Sequence, residues 1–421
     1  MIHGAARPAL AVILAGITIA VVLWRPRGLP EGLATAAGAA AMLLLGLADS
    51  AHSVNAVAGN WNVLLFFAGL MAVAGLADEA GVFDAVTTLA LRAGRGSPLR
   101  LLAAVCAAGC VVTAFLSNDA AALILTPVVA LAAQRAGADP VPYALATSYV
   151  ADAASALLPV ANPVNILTID AAHVGLGEYL RVLLLPATLV TVVTVAGILL
   201  ALRGRLTPLR TVLPLRRARS ALLFPATLVL AALASAYVVA TSLRFPVGVV
   251  AAAGAMALAI VVGGSGPRRL RRLSHDVSWS VLLFVAGLFV VVQGLEDTGV
   301  TAWVLHAWLG AGAGAHPSSV AAFAGAALGS NVINNLPMTL VTLSGLHPLG
   351  TAGVTPALSA ALGADVGPNL TPIGSLATLL WIVLLRSRGI TISARTYVRY
   401  GAVVTIPALV AGAVGLLITA R

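Results

Sequence analysis

Long apolar runs alternate with short polar joints along the chain, and at least nine of the runs approach twenty residues. A helix of about 20 residues crosses the ~30 Å hydrocarbon layer of a bilayer. The pattern therefore predicts an all-α polytopic membrane protein. Two polar patches break it from within: Leu116-Ser117-Asn118-Asp119-Ala120, and Gly329-Ser330-Asn331-Val332-Ile333-Asn334-Asn335-Leu336-Pro337. Their flanking arms look too short to cross twice, so each patch predicts a re-entrant hairpin with its turn at mid-depth. Irregular backbone persists there only where it is buried in protein or lines a cavity. Two further stretches, Ala151–Asn165 and Ala364–Thr378, each hold two prolines. Proline removes a backbone donor and clashes with the preceding turn, so each predicts an interrupted helix with carbonyls and helix ends exposed in mid-membrane.

The same units recur. Residues Trp61–Val86 match Trp279–Val304 at a shift of 218, with 12 of 26 positions identical, among them Gly69/Gly287 and Gly81/Gly299. Ser117-Asn118 falls on Ser330-Asn331, and Asp152 and Pro159 fall on Asp365 and Pro372, at a shift of 213. The expected organisation is a first repeat over 1–202, a cytoplasmic Arg-rich linker over 203–219 and a second repeat over 220–421. Each half reads as about five transmembrane helices plus one re-entrant hairpin, with an interrupted helix among them. An odd number of crossings turns the second copy upside down, the inverted-repeat plan of secondary transporters. The apolar run Ala9–Trp24 has no cleavage signature behind it and reads as a retained helix.

Charge supports this layout. Only 9% of residues are charged and 60% are hydrophobic, against about 25% charged in soluble proteins. The net charge of +10 rests on arginine alone, in short clusters between apolar runs. That is the signature of membrane orientation, not of nucleic-acid binding. With the linker inside, 20 of 24 arginines face the cytoplasm and only Arg7, Arg181, Arg244 and Arg421 face outward. Both termini then face out.

A carboxylate in mid-membrane costs ~2.5–3.5 kcal/mol and marks a pathway or a site. Asp119, Asp152 and Asp365 are the acids expected there, and carboxyl groups held away from water suit proton loading and release. Ser117, Asn118, Ser330, Asn331, Asn334, Asn335, Thr371 and Ser375 are the candidate solute-binding groups. Asn and Asp at a turn also cap the next helix, but a cap needs no buried charge. The pairs Asp78/Glu79 and Glu296/Asp297 follow apolar runs and read as surface groups. The seven histidines show no ligand spacing, so no metal site is expected, and no nucleotide motif implies a cofactor. Cys106 and Cys110 lie four apart on one helical face, ill placed for a disulfide, and read as small packing residues.

SNDAAALILTP (Ser117–Pro127), NNLP (Asn334–Pro337) and GADVGPNLTPIGSLATLLW (Gly363–Trp381) closely resemble the arsenite/antimonite efflux permease family, ArsB type, of the ion transporter superfamily. The resemblance implies an inner-membrane exporter of arsenite and antimonite. Its energy would come from proton antiport with elevator-like alternating access, or from an associated ATPase subunit, and superfamily relatives imply a homodimer. The chain departs from the family at Ala364, where Cys is frequent, and at Asn369, where Lys is frequent. Two other readings remain open: a sodium/proton antiporter or anion symporter on the same scaffold, and, remotely, an intramembrane aspartyl hydrolase using Asp119 and Asp365.

Overall fold

The computed structural model describes residues 6–24, 26–209, 220–263, 277–303 and 318–420. Most of the expected linker and the arginines at 268–272 lie outside the described residues. Among those described, the chain is helical throughout. Six helices are long and apolar enough to cross a membrane: Trp61–Glu79, Pro98–Phe115, Leu176–Arg205, Ala221–Ser242, Trp279–Asp297 and Ala394–Thr419. Shorter apolar helices, such as Glu31–Leu44 and Val247–Gly263, complete the set. The protein is a multi-pass membrane protein.

Helices α1 (Ala6–Trp24), α2 (Glu31–Leu44), α3 (Ser50–Gly59), α4 (Trp61–Glu79) and α5 (Val82–Gly94) open the chain. The first hairpin rises through α6 (Pro98–Phe115) and returns through one α turn (Asn118–Ala120), a π segment (Ala121–Leu125) and α7 (Thr126–Arg135). Its first arm is longer than expected: 18 residues extend about 27 Å, close to the full hydrocarbon thickness. The π segment was not foreseen either. The Thr126 hydroxyl at its end bonds Thr147 Oγ1 at 2.8 Å and so pins it to the next helix.

The first interrupted helix consists of α8 (Val141–Ala154), two 3-10 turns and α9 (Pro163–Ala172), with Leu158 and Asn162 extended at the breaks. Every residue of α8 from Pro142 to Ala154 is buried, Thr147, Ser148 and Asp152 among them. Then come α10 (Leu176–Leu202), α11 (Ser220–Ser242), α12 (Val247–Gly263) and α13 (Trp279–Asp297). The second hairpin is α14 (Ser319–Ile333) and α15 (Asn335–Leu346), joined at Asn334. Asn334 has φ +77° and ψ 154°, a strained conformation that otherwise belongs almost entirely to glycine. The second interrupted helix is α16 (Val354–Val366), a 3-10 turn at Gly367–Leu370, extended Thr371 and Ser375, and α17 (Leu376–Ser387). Helix α18 (Ala394–Thr419) closes the chain.

Long-range packing is exchanged between the halves. Helix α2 packs on α13, and α4 packs on α12. Glycines matched by the repeat make both contacts possible: a Cβ at Gly69 would lie 2.7 Å from Ala251, and one at Gly287 would lie 2.8 Å from Thr35. The polar edges match as well. Gly248 N–H donates to Asn62 Oδ1 at 2.8 Å, and Gly32 N–H donates to Ser280 Oγ at 3.2 Å. Helices α10 and α18 pack along their length with Pro186 against Gly415, Val190 against Gly412 and Gly197 against Val404. As one sequence number rises the other falls, so these two helices run antiparallel.

The acid pair expected at the surface after α13 has a structural task. Asp297 accepts from Asp49 N–H at 2.8 Å and Gln293 Nε2 at 3.0 Å, and it pairs with exposed His52 at 2.9 Å, clamping the start of α3. The hydrogen bond to Asp297, and then its charge, push the His52 imidazole up from its ordinary value. Cys106 and Cys110 are free thiols.

Overpacking a tight helix contact costs about 1–3 kcal/mol. Gly69→Leu and Gly287→Leu are each expected to lower thermal stability in detergent by about that amount. Gly16→Leu, at a glycine with open space around it, should stay near the parent. Equal melting temperatures for all three would refute the close helix approach.

Candidate functional site

A cavity of about 330 Å³ opens where the two hairpin tips and the two interrupted helices converge on α4 and α13. The first hairpin supplies Ser117, Asn118 and Asp119; the second supplies Asn334 and Asn335; Asn162 and Ser375 come from the two broken helices. Phe67, Leu70, Met71, Val281, Phe284 and Val285 form the apolar walls. A small polar solute would meet amides, hydroxyls and one carboxyl against a greasy surround. Among the described residues, no arginine or histidine lines this cavity.

The tips are built by their own capping. Ser117 Oγ accepts from Ala120 N–H at 3.0 Å, and Asn118 Oδ1 accepts from Asp119 N–H at 2.9 Å. Asn118 is nearly fully buried, whereas Asp119 keeps partial exposure toward the cavity. In the second hairpin the backbone does more. Asn335 N–H donates to Gly374 C=O at 2.9 Å, and Asn334 Nδ2 reaches Ile373 C=O at 3.3 Å, so the tip is laced to the second broken helix. Gly374 permits this, since a Cβ there would lie 2.6 Å from Pro368 Cα.

Six of the eleven expected site residues line the cavity: Ser117, Asn118, Asp119, Asn334, Asn335 and Ser375. The other five do not. Ser330 donates to Ala326 C=O at 2.6 Å within its own helix. Asn331 donates to Gly367 C=O at 2.9 Å and accepts from Thr371 Oγ1 at 2.7 Å, which ties the hairpin arm to the unwound backbone. Neither residue lines the cavity.

Asp152 and Asp365 lie behind the cavity, both buried. Asp365 accepts from Asn162 Nδ2 at 2.6 Å on one oxygen and from Asn165 Nδ2 at 3.0 Å on the other. The second half of one broken helix thus holds the acid of the other. Asn162 also caps α9, its Oδ1 accepting from Val164 N–H at 3.1 Å. Asp365 therefore sits at a helix N-terminus, where the dipole favours an anion. Asp152 is neighboured by Asn118, Asp119 and Asp365, and its Oδ2 has no hydrogen-bond partner. The arrangement joins a solute-sized cavity to a buried pair of acids through one asparagine, Asn118.

Asn162 and Asn165 were not singled out from the sequence. The signal was present: an asparagine before a proline that opens a helix is a cap pattern, and the next asparagine lies one turn on, on the same face. Asn62 and Asp170, 2.5 Å apart from Nδ2 to Oδ2, tie α4 to the end of α9 and carried no local signal at all.

Fold and cavity together define a multi-pass membrane transporter. The profile of the citrate transporter family (CitMHS) matches residues 19–362. The arsenical pump membrane proteins of Escherichia coli strain K12 and Yersinia enterocolitica are 31% and 32% identical to this chain, over 94% of it and 96% of their own length. An uncharacterized transporter of Mycobacterium tuberculosis is 30% identical over 90% of this chain and 91% of its own. The chain belongs to the citrate transporter family, together with the arsenical pump membrane proteins. Its fold is similar to the solved structure of the Alcanivorax borkumensis YdaH transporter, with TM-score 0.57, 16% identity, and coverage of 88% of this chain and 90% of that one. It is also similar to Neisseria gonorrhoeae MtrF, with TM-score 0.57, 15% identity, and coverage of 86% and 83%.

Asp365→Asn would set an amide against two amide donors. Hydrogen bonds to a charged group contribute about 1.5–3 kcal/mol each, so stability should fall by a few kcal/mol. Adding Asn162→Asp restores one donor–acceptor pair and should recover about half of the loss in a double-mutant cycle. Additive losses would show that the two side chains do not meet.

Proposed function

We propose that this transporter exports arsenite and antimonite from the cytoplasm across the inner membrane in exchange for protons. The cavity carries the reading: its polar groups are hydrogen-bonding amides and hydroxyls with a single carboxyl, Asp119, and no cationic side chain among the described residues. At neutral pH arsenite is the uncharged triol As(OH)3. Such a solute needs donors and acceptors but no counter-charge. Kinship with arsenical pump membrane proteins across 94% of the chain points the same way. Ala364, where the family frequently has cysteine, means that this reading relies on oxygen and nitrogen contacts, not on a thiol at that position.

In this reading Ser117, Asn118, Asn334, Asn335 and Ser375 bind the solute, and Asp119, Asp152 and Asp365 couple it to the driving ion. The chain divides as 1–202, 203–219 and 220–421, the halves being inverted copies. The antiparallel contact of α10 with α18, which occupy matched places in the repeat, supports the inversion. The hairpins and broken helices move as a unit against α2, α4, α12 and α13, carrying the solute in elevator fashion. A homodimer is the expected assembly, and an ATPase subunit would supply energy where one is present.

A second reading has one observation in its favour. Helix N-termini at Asn118, Pro163, Asn335 and Leu376 lie at or beside the cavity, and such ends bind carboxylates. Citrate or another carboxylate is the corresponding solute, with sodium or protons as the coupling ion.

Expression in an arsenite-sensitive, efflux-deficient cell should restore growth on arsenite and antimonite, and Asp119→Asn should lose most of that protection. Everted vesicles should accumulate arsenite when a proton gradient is imposed. Accumulation of citrate, or sodium-driven uptake without any arsenite signal, would overturn the reading in favour of the second. For the inversion, single cysteines at Ser97 and Ser318, each at the foot of a first hairpin arm, should be labelled from opposite sides of the membrane by an impermeant maleimide. Labelling from one side would refute the inverted arrangement.

A further inference from the structure

Asp152 and Asp365 occupy the same place in the two halves, 213 residues apart, yet their surroundings differ in one chemical respect. Asp365 is gripped by Asn162 and Asn165, whose amide groups can only donate to it. Neither amide is free to turn. Asn162 Oδ1 is committed to Val164 N–H, and Asn165 Nδ2 also donates to Ser155 C=O at 3.0 Å. Two fixed donors suit an ionised carboxylate, and a protonated acid would press its hydrogen against one of them.

At the same shift of 213, the residues matching Asn162 and Asn165 are Ser375 and Thr378. Neither is an amide, and the grip seen on Asp365 is not repeated: the side chain that bonds Asp152 is the single amide of Asn118, from the first hairpin. Asp152 Oδ2 in fact has no hydrogen-bond partner. A buried charge with one oxygen left unpaired is costly, and taking up a proton removes that charge. The ionisable groups that face Asp152 are Asp119 from the first hairpin, Asp365 from α16 and Tyr397 from α18. None of them is a cation.

We propose that Asp152 is the carboxyl that takes up and releases the exchanged proton, whereas Asp365 stays ionised and acts as a positioning residue that fastens the two broken helices. In each cycle Asp152 receives a proton from the outer water, carries it as the neutral acid and returns it to the inner water. Asn118, which lines the cavity and neighbours Asp152, is the contact through which solute and proton sense one another. This assignment rests on the arsenite–proton exchange proposed above.

The test is arsenite counterflow and proton-gradient-driven arsenite uptake by the full chain in proteoliposomes, each measured across a pH series. Asp152→Asn should lose at least tenfold of the gradient-driven component, and its remaining counterflow should no longer change with pH. Asn118→Leu, which takes the amide donor away from Asp152, should move the midpoint of the profile about one pH unit toward alkali. It decides the matter should Asp152→Asn fail to assemble. Asp365→Asn should lower exchange at every pH and leave the midpoint of the residual activity in place. Gradient-driven uptake surviving in Asp152→Asn, or a midpoint that responds to Asp365→Asn and not to Asn118→Leu, would overturn the assignment. A parent protein that moves no arsenite refutes the underlying reading; one that moves arsenite without responding to pH refutes this inference alone.

Discussion

A peptide group inside a membrane has no water to bond, and that constraint governs nearly every polar contact in this protein. The two hairpin tips and two broken helices each free backbone groups that must find partners. The chain answers with side chains from elsewhere. Asn331 bonds Gly367 C=O, Asn165 bonds Ser155 C=O, Asn369 bonds Tyr149 C=O, and the Tyr179 and Tyr149 hydroxyls bond Ala156 and Tyr397 C=O. The interruptions therefore fasten the elements around them. Between the tips and α4 and α13 this lacing leaves a cavity of about 330 Å³.

The same constraint explains what could be read along the chain and what could not. Prolines and polar residues inside apolar runs conflict with a continuous membrane helix, so the hairpins and the interrupted helices were legible, and with them Ser117, Asn118, Asp119, Asn334, Asn335 and Ser375. Ser330, Asn331 and Thr371 belong to the same polar clusters but face the lacing. Position in a motif does not reveal which way a side chain points when the neighbouring element lies 36 to 40 residues away. Asp365 was recognised as a misplaced acid, yet its partners Asn162 and Asn165 lie 203 and 200 residues earlier. The π segment at Ala121–Leu125 had no legible cause, because the hydroxyl that pins it, Thr147, belongs to α8.

Positions matched by the sequence repeat differ in the polar groups they carry. One hairpin ends in a carboxyl and the other in amides. One buried acid is held by an amide on each oxygen, whereas its counterpart keeps one oxygen without a hydrogen-bond partner. Gly69 and Gly287, matched in the sequence repeat, each admit a close helix contact.

The exchanged pairing of α2 with α13 and of α4 with α12 also bears on how the protein is made. Their polar contacts join residues 248 and 186 positions apart. At synthesis rates of about 5–20 residues per second, the early helices wait on the order of 10–50 s in the bilayer before their partners emerge. During that interval Gly32 N–H and Asn62 Oδ1 lack the partners that α13 and α12 bring, and the notches at Gly69 and Gly32 stay unfilled.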